Sequence, residues 1–306
     1  MKKQECMNMA DIKLFNIKGT VKEYQSGTVT LEKELQTVIE NNMTTFFGVT
    51  FLASEYRTTD GGRMDSIGID ENHCPVIFEY KRSMKENVIN QGLFYLNWLL
   101  DHKDSFKVLV IKTLGLEEAD NIDWTMPRVV CVAGDFTKYD ESAIKHMNRN
   151  ISLIRYKKFG DDLLMFEQVN ENIADAIPDV EAPTAKTKAV NKTFDEQLAS
   201  ADKSVRALYQ DLTNYILSLG DDISENHLKL YAAFKKIKNV ITVVVQKKKL
   251  VINLSLDTAT VAFEEGFSRD VSGLGHWGCG AVELHIQNNA DLEKAKPLID
   301  RAYNEN

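Results

Sequence analysis

The feature that most constrains this chain is a pair of neighbouring apolar runs with acids and a lysine inside them, Arg63-Met-Asp-Ser-Ile-Gly-Ile-Asp70 and Pro75-Val-Ile-Phe-Glu-Tyr-Lys-Arg82. Glu71-Asn-His-Cys74 between them reads as a turn, so the runs form a hairpin of period-two strands. On that alternation Asp65, Ile67 and Ile69 share one face of the first strand, and Ile77, Glu79 and Lys81 share one face of the second. Asp65 and Glu79 therefore converge at one end of the hairpin. A partly desolvated carboxylate is unfavourable unless a cation or hydrogen bonds compensate it, and two close together ask for a divalent metal. Hard oxygen ligands point to Mg²⁺ or Mn²⁺.

The chemistry follows from these parts. Asp65 and Glu79, helped by the main-chain carbonyl of Tyr80, would hold a metal that polarises a phosphoryl oxygen and lowers the pKa of a bound water. Lys81 would orient that water and stabilise the charge that develops in the transition state. The layout suits metal-assisted phosphodiester hydrolysis.

Asp65 followed on the next strand by Glu79-x-Lys81 resembles the signature of the PD-(D/E)XK nuclease superfamily, with Met64 standing where the superfamily's name has proline. Glu-x-Lys alone is common by chance; its weight comes from the spacing to Asp65 and the strand context. Upstream, Thr30 to Ile39 reads as an amphipathic helix, and the resemblance implies an additional glutamate from it, Glu34 as first choice and Glu32 as second. Downstream, Asn87 to Leu100 reads as a helix with Gln91 and Tyr95 on one face. Gln-x-x-x-Tyr there resembles the motif of the RecB-like branch, which implies contact with nucleic acid. Arg57, Arg63, Lys81, Arg82 and Lys85 cluster around the site and can supply a basic groove, with Arg57, Arg63 and Arg82 as substrate contacts.

Roughly residues 10 to 169 resemble a NucS-type endonuclease domain. That resemblance implies an α/β fold with a restriction-endonuclease-like core, a mixed sheet flanked by helices. The expected strands are Val49 to Arg57, the two arms of the hairpin, and the runs Phe106 to Thr113 and Val129 to Ala133. Residues 170–192 hold two of the chain's five prolines and little apolar periodicity, and read as a linker. The expected domains are 1–169, nuclease-like, and 193–306, a smaller α+β domain with a binding or dimerising role.

The second domain is expected to begin with one helix from about Phe194 to Leu219, ended by Gly220. Strands Val240 to Gln246 and Leu250 to Leu256 follow around an exposed Lys247-Lys-Lys249 turn, then a glycine-rich loop 272–280, a strand from Ala281 to Gln287 and a helix from Asp291 to Tyr303. This half resembles an uncharacterised domain that occurs alone and behind nuclease domains. His276, Cys279 and His285 suggest zinc only weakly, since a fourth ligand is missing and His285 falls within a strand. Trp277 reads more readily as packing on the sheet than as a base-stacking platform, with Arg269 nearby.

With 306 residues, 43% hydrophobic and 27% charged, the chain is long enough for two globular cores. No apolar run is long enough for a membrane span. Cys6, Cys74, Cys131 and Cys279 form no Cys-x-x-Cys pair, so free thiols and a cytoplasmic location are expected. A net charge of −8 argues against nonspecific coating of nucleic acid but leaves room for a local basic groove. The expectation is a Mg²⁺- or Mn²⁺-dependent endonuclease acting on DNA in repair or defence against foreign DNA. A homodimer would suit double-strand cutting by one site per chain. The alternative is a noncatalytic nucleic-acid-binding or regulatory protein on a degenerate nuclease fold.

Overall fold

The computed structural model describes residues 12–28, 32–81, 88–172, 192–273 and 279–306. Arg82, Lys85, His276, Trp277, Cys6 and most of the expected linker lie outside the described residues.

The first domain opens with a small hairpin, β1 (Leu14–Asn16) and β2 (Lys22–Tyr24), and a short β3 (Ser26–Gly27). Then come α1 (Glu32–Asn41), α2 (Met43–Phe47), β4 (Val49–Arg57), β5 (Arg63–Asp70), β6 (Pro75–Lys81), α3 (Val88–Asp101), α4 (Lys103–Leu114) and α5 (Leu116–Asp120). It closes with β7 (Arg128–Ala133), α6 (Lys138–Ile144), β8 (Asn150–Phe159) and β9 (Leu163–Asn172). These build a seven-stranded mixed sheet of order β3-β8-β7-β6-β5-β4, with β9 also on β8. β4, β5 and β6 meander antiparallel, whereas β6, β7 and β8 run parallel. That change of direction requires crossovers, and α3 to α5 supply the first.

Helices cover both faces of the central strands. Leu35 and Ile39 of α1 with Met43 and Phe47 of α2 recur four residues apart and pack on Val76, Phe78, Tyr80, Val130 and Tyr156. On the other face Leu96 and Leu99 of α3 and Phe106 and Val110 of α4 pack on Ile67, Ile77, Val129 and Leu153. A Cβ at Gly92 would collide with Val129 Cγ1, so a glycine is what lets α3 lie this close to β7.

The second domain comprises α7 (Phe194–Ser200), α8 (Lys203–Leu217), β10 (Ser224–His227), β11 (Ala232–Lys235), β12 (Asn239–Val245), β13 (Leu250–Leu254), β14 (Ser268–Asp270), β15 (Val282–Ile286) and α9 (Asn289–Glu305). Its six strands form an antiparallel sheet of order β10-β11-β12-β13-β15-β14, and α8 and α9 seal one face.

Three expectations are corrected. Phe106 to Thr113 is helical, within α4, because Phe106 and Val110 are buried while Val108 and Ile111 face outward; the β-branched run imitates a strand but its burial has helical period. The single helix from Phe194 to Leu219 is two helices, broken at Ala201, whose ψ of 155° is extended and whose side chain is buried, and α8 stops at Leu217 with Ser218 as its cap. The first domain's sheet runs to Asn172, three residues past the expected boundary.

The two domains are joined by more than the chain. Cys74 packs with Leu228, Tyr231 and Ala233. Tyr231 Oη and Asn239 Nδ2 each donate to Asn72 Oδ1 at 2.7 Å, and the Asn239 N–H donates to Glu71 Oε2 at 3.1 Å. Burial, with Asp70 alongside, pushes the Glu71 carboxyl up to about 7. Lys235 Nζ donates to Glu171 Oε1 at 2.6 Å, and both side chains are about nine-tenths buried. Removing one partner of such a pair leaves a buried charge uncompensated, so Lys235→Met should lower stability by about 3–5 kcal/mol. Lys235→Met with Glu171→Gln should recover most of it, as read from urea unfolding of the full chain.

Candidate active site

The β5–β6 ladder runs from Ile69–Pro75 to Ser66–Phe78 and ends there. One residue further on, side chains take over the backbone's hydrogen bonds. The Asp65 N–H donates to Glu79 Oε1 at 3.3 Å, and the Tyr80 N–H donates to Asp65 Oδ2 at 3.0 Å. The two carboxylates are thus locked to each other's strands at the point where the strands part. Asp65 is 9% exposed, Glu79 0% and Lys81 8%, so all three are withdrawn from bulk water.

That burial sets the electrostatics. Burial first, then the neighbouring Asp65, push the Glu79 carboxyl up to about 9. Burial also raises Asp65, opposed by the Tyr80 N–H and by Lys81. Glu79 Oε2 is buried without a hydrogen-bond partner among the described residues. A fully buried carboxylate oxygen with nothing to accept from is strongly unfavourable, which fits a Glu79 carboxyl that holds its proton when no cation is present. Two carboxylates with one open oxygen are a fitting donor set for a hard divalent ion. Among the described residues no three His, Cys, Asp or Glu side chains converge, so the rest of the shell would be main chain and water. Cys131, opposite Glu79 on β7, is fully buried, and burial pushes its thiol up, so it stays protonated.

Helix α1 crosses this end of the hairpin. Glu32 Oε1 lies 3.6 Å from Lys81 Nζ. Glu34, the first choice from the sequence, is instead half-exposed and pairs with Lys158 at 3.4 Å. The structure therefore brings Glu32, not Glu34, to Lys81. Gln36, one turn on, is buried, and its Nε2 donates to the Asp65 carbonyl at 2.8 Å, to Ser54 Oγ at 3.1 Å and to Glu40 Oε1 at 2.8 Å. Ser66 Oγ donates to the same Glu40 oxygen at 2.7 Å and accepts from Tyr80 Oη at 3.1 Å. Sequence reasoning missed this brace, although Glu32, Gln36 and Glu40 at i, i+4 and i+8 form a polar stripe on a packed helix.

Glu55 was missed as well. It falls opposite Asp65, between the register pairs Ser54–Ser66 and Tyr56–Met64, with φ at +55°. A left-handed glutamate inside a strand stores strain of order 1–3 kcal/mol, and such strain gathers at functional sites. Its carboxylate pairs with Arg63 Nε at 2.7 Å and Lys33 Nζ at 3.3 Å. No sequence signal announces this backbone.

On the other side, Gln91 Nε2 donates to Tyr95 Oη at 3.4 Å, and that hydroxyl accepts the Arg63 N–H at 3.2 Å. Tyr95 is buried, its ring against Gly62, where a Cβ would meet Tyr95 Cε1 at 2.7 Å. The pair thus braces the start of β5, two residues from Asp65. Arg57 and Arg63 sit opposite each other across β4–β5, both exposed, at the same end of the sheet.

No solved structure matches the chain. Residues 194–306 match a family described as "Domain of unknown function (DUF5655)". An uncharacterised protein of Haemophilus influenzae is 30% identical over 295 residues, which cover 93% of this chain and 97% of that protein.

The raised Glu79 group gives a signed prediction. Its folded pKa lies above its unfolded one, so in metal-free protein it costs stability as pH rises from about 4.5 toward 9. Glu79→Gln keeps the acceptor for the Asp65 N–H and should stabilise the metal-free protein at pH 8 by about 1–3 kcal/mol. Any rise in Tm that Mn²⁺ produces in the wild type should be absent from Glu79→Gln, both read by thermal unfolding with EDTA or Mn²⁺.

Proposed function

The chain belongs to the family of the Haemophilus influenzae protein that it matches across both domains, and we propose that it is a metal-dependent endonuclease that hydrolyses phosphodiester bonds in DNA. The observation that carries this reading is the Asp65–Glu79 pair on parting strands, with Glu79 Oε2 buried and unpartnered among the described residues and Lys81 two residues along the same strand. The mixed sheet with helices on both faces is then a restriction-endonuclease-like core, and the chain a PD-(D/E)XK-type nuclease.

In this reading Asp65, Glu79 and the Tyr80 carbonyl would hold Mg²⁺ or Mn²⁺, which would supply Lewis-acid activation of the phosphoryl oxygen and of water. Lys81 orients the attacking water and offsets the charge gathering on the phosphoryl oxygens. Glu32, 3.6 Å from Lys81 Nζ, keeps the ammonium directed into the site. Arg57 and Arg63 lie at the exposed mouth, where they meet flanking phosphates, and Arg82 follows Lys81 directly in the chain. Gln91 and Tyr95 hold the strand that carries Asp65 and line its approach. Glu34, turned to Lys158, takes no part in this arrangement.

The test is cleavage of plasmid, linear duplex, single-stranded DNA and RNA with Mg²⁺, Mn²⁺ or EDTA. Metal-dependent cutting should vanish in Asp65→Ala. Lys81→Ala should keep metal binding but lose cleavage by about 10²–10³-fold. Cutting by Lys81→Ala at the wild-type rate would remove Lys81 from the mechanism. Metal binding without cutting on any substrate would instead favour a noncatalytic binding protein.

A further inference from the structure

The β4–β5 turn, next to the acids, is pinned to α3 at three points. Trp98 Nε1 donates to Thr59 Oγ1 at 3.0 Å, the Tyr95 hydroxyl accepts the Arg63 N–H at 3.2 Å, and the Phe94 ring lies against Gly62. A Cβ at Gly62 would come within 3.3 Å of Phe94 Cε1 and 2.7 Å of Tyr95 Cε1, so a glycine is what lets both rings settle there. Turn and helix thus form one fixed ledge. Asp65 lies three residues beyond Gly62, about 10 Å along the strand.

The aromatic residues of the ledge meet solvent differently. Tyr95 and Trp98 are each 6% exposed, and their rings serve as packing. Phe94 is 51% exposed, its ring edge-on to that of Tyr95 with 5.6 Å between centroids. A lone exposed aromatic is ordinary on a protein surface. What sets this one apart is its place. It is propped on the residue before Arg63, and Arg57 stands opposite Arg63 across the strands, both arginines exposed. An open ring beside two cations, at the mouth of a cluster of buried acids, is the combination that holds an unpaired nucleotide.

We propose that Phe94 stacks an unpaired base of the strand held at Asp65 and Glu79, so that the site takes single-stranded nucleic acid, or nucleotides unpaired beside the cut, in preference to duplex. The proposal rests on the nuclease reading of the first domain. Inside a duplex both faces of a base are covered by its neighbours, and a protein ring reaches a face only where the base is unstacked. Arg63, beside the ring and two residues from Asp65, meets the phosphate that follows the stacked nucleotide. A chain of net charge −8 has little long-range attraction for a duplex, and a stack supplies affinity that does not depend on charge.

The experiment uses the full chain in EDTA, so that cleavage plays no part. Fluorescence anisotropy compares a short DNA strand, the same sequence as RNA, its DNA duplex, and an abasic strand of equal length. The wild type should bind a base-bearing single strand more tightly than the duplex or the abasic strand. Either sugar supports the stack, and the tighter of the two strands names the substrate. Phe94→Ala should weaken that strand by about tenfold and leave the abasic strand unchanged, and Phe94→Trp should restore the affinity. Unchanged abasic binding, with an unchanged Tm, separates a lost stack from a lost fold. No binding of single strands by the wild type, equal affinity for abasic and base-bearing strands, tighter binding of the duplex, or a Phe94→Ala loss shared by the abasic strand would each overturn the proposal. Base-dependent binding through Phe94 without metal-dependent cleavage would sink only the nuclease reading; cleavage and binding indifferent to Phe94→Ala would sink only this one.

Discussion

The β5–β6 ladder ends at Ser66–Phe78, and everything at the site depends on what replaces it. Had the strands stayed paired, the backbones at Asp65 and Tyr80 would have satisfied each other and their side chains would have pointed away as in any sheet. Because they part, each strand's amide is held by the other strand's carboxylate. The hydrogen bonds that end the sheet are therefore the ones that fix the two acids. Gln36 completes the arrangement from α1 by taking the Asp65 carbonyl that the ladder has released. Disturbing the packing of α1 would loosen the acids without touching them.

The same hairpin reaches the second domain at its other end. Asp70 Oδ1 accepts the N–H groups of Asn72 and Cys74, which shapes the turn, while Asp70 Oδ2 receives Arg128 Nε at 3.3 Å. Asn72 then takes two donors from across the interface. Five residues of strand separate Asp65 from Asp70, about 17 Å. The second domain is thus held at a fixed offset from the acids by a central pair of strands and a buried ion pair, not by a tether. A substrate engaged by both domains would have to span that offset.

The parts legible in the sequence are those governed by local apolar runs and the turns between them. Strands β4 and β5 fall at their expected ends, and β5 is buried on both faces, so its apolar run and the Glu71–Cys74 turn that follows it decide its extent locally. Val108 to Ile111 misleads for the complementary reason: its β-branched residues favour a strand, and only the packing of Phe106 and Val110 against the sheet makes it helical. Within the site, the adjacency of Asp65 and Glu79 across the hairpin followed from their spacing and strand context. The acid from α1 did not, since Glu32 and Glu34 differ only in which way a helix two residues out of phase is turned, and that is set by Leu35 and Ile39 in the core. Glu55 was invisible because a left-handed residue in a strand is a consequence of the completed fold.

Glu79 Oε2 and the Asn253 amide nitrogen are two of the buried side-chain atoms without a hydrogen-bond partner among the described residues, Asn226 Oδ1 being another, and they lie on different sheets in different domains. Each stands beside a charge that makes its neutral or apolar replacement easy to imagine. Glu79 faces Asp65, so a glutamine would relieve the repulsion; Asn253 lies between a satisfied threonine and a satisfied glutamate, so a valine would suit the strand better. Local stability thus points away from the residues present at both places. For Glu79 Oε2, the cation proposed at the Asp65–Glu79 pair would supply the missing interaction.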